Sequence, residues 1–81
     1  MARPISEIAY EITREWGDRM YFGAIPYVGA MRHLDKITDQ YGADRGRDIV
    51  NYFLANAQNW RGPKAREIKA ELKVMLDNTG R

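Results

Sequence analysis

The chain has 81 residues, 44% of them apolar and 30% charged, with a formal net charge of +2 and no cysteine. That length allows one domain, and that balance belongs to a folded soluble chain rather than a disordered one. The lack of cysteine excludes a disulfide framework and any thiolate nucleophile or metal ligand, and no apolar run approaches the ~20 residues that span a bilayer.

The net charge is too small to mark a nucleic-acid binder, but it is unevenly spread. Residues 1–44 hold five Lys/Arg against seven Asp/Glu, and residues 45–81 hold eight against four. The basic excess therefore sits in the C-terminal half. The N-terminus, MARPISEIAYEI, lacks the apolar core of a secretory signal and carries three carboxylates by residue 15. A cytoplasmic protein is expected.

Residues 1–4 are expected to be loose. Ile5, Ile8, Ala9, Ile12 and Trp16 then recur at helical spacing, opposite Glu7, Glu11 and Arg14. Ser6 is placed to cap this helix, Ile5 and Tyr10 to staple its entry, and Gly17-Asp18 to end it. Next comes MYFGAIPYVGAM, Met20 to Met31, without a charge and broken by Gly23 and Pro26. Pro26 can open a second helix, on which Tyr27, Ala30, Met31, Leu34 and Ile37 share a face. Thr38 to Ala43 reads as a turn around Gly42.

Ile49 to Trp60 is the other charge-free dozen. Its apolar arc covers about 200° of a helical wheel, wider than the ~100° stripe of an ordinary surface helix, so this reads as the central helix. Asp44 is the expected N-cap and Gly62 the expected C′ residue, with Pro63 opening the next helix. The last helix, Pro63 to Asp77, buries Ala65, Ile68, Leu72, Met75 and Leu76, and 78–81 should fray. The expectation is an all-α fold: residues 1–81 as one compact bundle of four helices with short turns, its two charge-free dozens packed together.

Three groups of residues are candidates for recognition. Tyr21, Phe22, Ile25 and Tyr27 lie on or near a turn, where aromatic side chains can anchor a protein interface; the alternative is that they close a small core. Arg61, Lys64, Arg66, Lys69 and Lys73 can contact phosphates as a basic flank of the last helix, or form a solvated flank balanced by Glu67 and Glu71. Asn51, Gln58 and Asn59 share the polar face of the central helix, where carboxamides can pair with adenine, while Asn56 points into the apolar arc. The long helices on either side of Gly62 read as an αα-hairpin rather than a compact helix-turn-helix.

Chemistry has little support. His33 is the only histidine, and no cysteine or patterned carboxylate accompanies it as a metal ligand. Ser6, Thr13, Thr38 and Thr79 occur in no nucleophile motif. Asp35, Asp39 and Asp44 surround Gly42, but Ile37, Tyr41 and Ala43 stand where a calcium loop needs ligands. The glycines form neither a GxGxxG nor a P-loop. No catalytic residue, metal or cofactor is expected, and no small-molecule substrate is evident.

At YFGAIPY and YGADRGRDIVNYFLANAQNWRGPKAREIKAELK the sequence resembles short uncharacterised proteins encoded by tailed phages of actinobacteria, a likeness covering most of the chain. The resemblance implies a phage-encoded protein at work in a host cytoplasm, where such proteins commonly bind host proteins and many bind DNA. The expectation is a non-enzymatic helical binding module with a protein partner (a host or phage protein, or itself), and nucleic acid as the second reading.

Overall fold

The computed structural model describes residues 3–79. The first helix, α1, spans Ile5–Trp16 and buries the five residues its spacing selects: Ile5, Ile8, Ala9, Ile12 and Trp16. Ser6 does not cap it. The helix starts two residues earlier than that cap would place it, after Pro4, and no side chain closes its end. Main-chain carbonyls from elsewhere take over, the amides of Ile5 and Ser6 donating to the oxygens of Asp35 and Leu34 at 3.0 and 2.8 Å. At the other end Gly17 turns the chain out of the helix at φ 60°, and its amide returns to the Thr13 carbonyl.

The first charge-free dozen holds a 3-10 turn over Phe22–Ala24 and then α2, Ile25–Met31, with Pro26 in its first turn. This helix is shorter than the shared face of Tyr27 to Ile37 implied. Val28 and Met31 are buried from α2, whereas Leu34 and the partly buried Ile37 reach the core from the loop that follows. Of all the elements, α2 is packed most extensively on the central helix, α3 (Gly46–Ala55), as the two uncharged dozens predict.

The expected turn at Thr38–Ala43 is a β-hairpin instead, the one departure from an all-α fold among the described residues. Gln40–Tyr41 (β1) pairs antiparallel with Asp44–Arg45 (β2), in the register Gln40 with Arg45 and Tyr41 with Asp44. The two-residue loop is Gly42-Ala43. With Gly42 at φ 64° and Ala43 not at positive φ, it has the form of a type II′ turn, which needs glycine at its first central position. Asp44 is therefore spent in a strand, and Arg45 stands at the N-cap of α3 without a capping side chain.

The central helix α3 runs Gly46–Ala55, five residues short of Trp60. Asn56 ends it with its own side chain, Nδ2 donating to the Tyr52 carbonyl at 2.8 Å. Single turns continue the chain, with Ala57 N on Leu54 O and Trp60 N on Ala57 O. Ala57 and Trp60 are thereby buried without being helical. Gly62, at φ 114°, belongs to the approach to α4 (Pro63–Thr79) and is not the C-cap of α3. A looser αα-hairpin results, with 56–62 as its connection. The expectation of fraying over 78–81 meets a helix described through Thr79, while residues 1, 2, 80 and 81 lie outside the described residues.

The core gathers Ile5, Ile8, Ile12, Met31, Leu34, Val50, Phe53, Ile68 and Leu72, all but fully buried. Trp60 stacks on Trp16 with ring centroids 5.2 Å apart and planes at 11°, and Phe53 meets Trp16 edge-on at 6.4 Å. The radius of gyration is 11.5 Å, against about 11.7 Å for a compact domain of this length. Among the described residues no helix is long and apolar enough to cross a membrane.

Candidate functional site

The aromatic segment is held outward by its own turn. The Ala24 amide donates to the Tyr21 carbonyl at 2.8 Å, and Ala24 is fully buried, which pins the 3-10 turn to the core. Gly23 leaves room for what lies above it. A Cβ there would stand 2.6 Å from the Tyr21 ring and 2.8 Å from Asn56 Oδ1. Phe22 is left 75% exposed, Ile25 52% and Tyr21 39%. The Tyr21 and Phe22 rings touch at 4.8 Å, tilted by 55°. Tyr27 departs from this group: it is half-buried, with its ring 5.6 Å from that of Tyr52.

Two clefts flank the patch. Ile25 is shared with one of about 230 Å³ between α1 and α2, floored by Met20, Val28 and Gly29. Arg32 stands at its edge, its guanidinium 5.3 Å over the Tyr10 ring and donating to Thr13 Oγ1 at 3.3 Å. Tyr21 is shared with the other, a polar cleft of about 290 Å³ lined by Ala55, Asn56, Gln58 and Asn59.

The five basic candidates do not act as one stripe. Lys64 is taken by acids: its ammonium lies 3.3 Å from Glu11 and 3.5 Å from Glu67, and the Glu11 contact leads in raising its pKa. It joins a seam between α1 and α4 centred on Arg3. That guanidinium grips Glu71 with two parallel bonds of 2.9 Å, bonds Glu11, and lies 3.7 Å from Glu7. Arg3, with Lys64 second, holds the Glu11 carboxyl below the usual carboxylate range.

Lys69 is half-buried, donating from Nζ to the Trp60 carbonyl at 2.6 Å. Its loss of water, then the nearby charges of Lys73 and Arg61, push its pKa down. Arg61, Arg66 and Lys73 are exposed, and among the described residues none of them has an ion-pair partner. The structure thus groups Arg61, Lys69 and Lys73 and separates Lys64 from them.

The carboxamides also part. Asn51 remains exposed on α3, while Gln58 and Asn59 stand on the turn beyond the helix and meet Tyr21 across the polar cleft. His33 is exposed and stacked on Tyr41 at 5.0 Å, outside any site. Asp39 serves the backbone, its Oδ2 accepting the amides of Asp35 and Lys36 at 2.9 Å each, and those bonds lower its pKa. Among the described residues no three His, Cys, Asp or Glu side chains group to hold a metal ion. The seam was only partly visible from spacing: Arg3 and Glu7 stand four apart, but nothing local ties Arg3 to Glu71 or Lys64 to Glu11.

Comparison with models of protein families, with curated proteins and with solved structures finds no match to this chain.

Proposed function

We propose that this protein is a non-enzymatic binding module that takes a protein partner on Tyr21, Phe22 and Ile25. The observation that carries this reading is Phe22, a large apolar ring three-quarters in solvent on a turn anchored in the core by Ala24. Burying a phenylalanine is worth about 1.5–3 kcal/mol, and rigid aromatic side chains lose little entropy on docking, which is why they dominate interface energetics. Tyr21 and Ile25 extend the patch on either side, and Tyr27 contributes from its half-buried position. The resemblance to phage proteins makes a protein of the host bacterium, or of the phage itself, the partner in a cytoplasmic setting.

The test is an affinity capture from actinobacterial lysate treated with nuclease, comparing the wild-type chain with Phe22→Ala. The exposed ring should come off at little cost to folding, within about 0.5 kcal/mol. Retention of the partner should fall at least tenfold. If Phe22→Ala and Tyr21→Ala unfold the chain, or if they stay folded and retain every captured protein, the assignment is wrong.

A further inference from the structure

We propose that the turn 57–62 and the adjoining flank of α4 bind single-stranded nucleic acid, with backbone phosphates on Arg61, Lys69 and Lys73 and an unpaired base in the cleft of Tyr21, Gln58 and Asn59. This is a second activity beside the protein-binding reading, with Tyr21 at the edge of both surfaces.

The phosphate half starts from Lys69. Its ammonium is fixed by the Trp60 carbonyl at 2.6 Å, which ties the basic flank of α4 to the turn. Lys73 follows one helical turn later, and Arg61 follows Trp60 directly, so three cations converge. Their mutual repulsion adds to burial in disfavouring the charge on Lys69, and no carboxylate offsets it. The nearest acids on α4 face other partners: Glu67 meets Lys64 and Glu71 meets Arg3 on the opposite flank. Asp77, one turn beyond Lys73, makes no ion pair among the described residues. Unscreened like charges around a fixed donor form a site that an oxyanion relieves. Ammonium and guanidinium groups together are what phosphate oxygens bind.

The base half lies along the same turn. Gln58 and Asn59 precede Trp60 and Arg61 directly, and they line the polar cleft with Tyr21 and Asn56. Carboxamides present a donor and an acceptor side by side, the pairing that base edges require, and an aromatic wall lets a base stack. At about 290 Å³ the cleft is at the small end of pockets for organic ligands, which start near 300 Å³, and suits one flat ring system. A stacked, paired base cannot enter such a hollow. The carboxamides stand on a turn rather than along a helix that could lie in a groove. Both facts favour a single strand over a duplex.

The test is fluorescence anisotropy of a labelled oligothymidine of about 15 nucleotides, a length set by known single-strand site sizes, with the matching duplex as a second arm. Three phosphate contacts on a single strand give a log–log salt slope of about −2, or a roughly 20-fold loss of affinity between about 50 and 200 mM salt. Lys73→Glu and Arg61→Ala, both at exposed positions, should each weaken binding several-fold and flatten the slope by about 0.7. Lys69→Met should do the same, with a melting curve to confirm its fold. Gln58→Ala with Asn59→Ala should weaken binding while leaving the slope unchanged. No binding at low salt, or binding indifferent to Lys73→Glu and Arg61→Ala, overturns the proposal. Duplex bound as tightly as single strand overturns the base site.

Discussion

Two glycines show how one methyl group can act in opposite directions. Gly46 opens α3 where it leaves the hairpin, and its amide donates to the Asp39 carbonyl at 2.7 Å. A Cβ at this position would stand 2.8 Å from the Ile37 carbonyl oxygen and 2.9 Å from that of Asp39. Both are main-chain atoms that cannot rotate away. Gly46→Ala should therefore destabilise the fold by about 1–3 kcal/mol in spite of alanine's better helix propensity. Gly29 is also helical, but nothing lies within 4 Å of its would-be Cβ. There the propensity term acts alone, and Gly29→Ala should stabilise by about 0.5–1 kcal/mol. Thermal melts decide both, since 1 kcal/mol moves Tm by roughly 4–8 °C in a chain of this size. Equal shifts for the two variants would contradict the contact at Gly46.

Among the elements, helix starts and stops were the least legible part of the fold, and each miss has a cause. Apolar spacing continues past Ala55 because the turns after it keep i,i+3 hydrogen bonds. Ala57 and Trp60 thus reach the core at nearly helical intervals. The stop signal was Asn56, a carboxamide able to bond back to the preceding turn, and not the glycine six residues on. The hairpin was hidden because strands of two residues carry no alternation, leaving only the Gly-X loop to announce it. Asp44 and Ser6 both have the chemistry of caps, yet the ends they should cap are closed by the main chain or left without a side chain. For α1 this can be checked. A capping serine replaced by alanine costs about 1 kcal/mol. Because the amides at this end go to the Asp35 and Leu34 carbonyls, Ser6→Ala should cost less than about 0.5 kcal/mol in urea unfolding. What pattern did reveal was the packed faces of α1 and α4 and the pairing of the two uncharged dozens; it left open whether the aromatic segment broken by Gly23 and Pro26 closes the core or faces solvent, since apolar side chains beside a turn can do either.

For the molecule as a whole, an 81-residue chain buries only about 60% of its unfolded surface, so modest polar terms carry weight. The largest polar construction is the seam of Arg3, Glu11, Lys64 and Glu71 between the first and last helices, and it gives stability a definite pH dependence. Arg3 first, then Lys64, hold the Glu11 pKa below its ordinary 4.5. The amides of Lys36 and Asp35 hold that of Asp39 below its ordinary 3.8. In each case the folded chain binds a proton less readily than the unfolded one, so stability rises with pH between the two values. The contribution is complete above the ordinary values and is lost as pH falls through the depressed ones. Melting temperature should accordingly be level from about pH 5.5 to 8, as far as these groups govern it, and fall steadily below pH 4.5. Arg3→Met removes the leading cause at Glu11 and the bidentate grip on Glu71. It should lower stability at pH 7 by about 1–2 kcal/mol and make the acid decline shallower, leaving the share of Asp39 and the smaller share that Lys64 holds at Glu11. Parallel acid declines for the variant and the wild type would mean that α1 and α4 are held by their buried faces alone. The same seam explains why the basic surface divides: the acids that hold the helices together consume Lys64, while Lys69, on another flank of α4, turns to the Trp60 carbonyl.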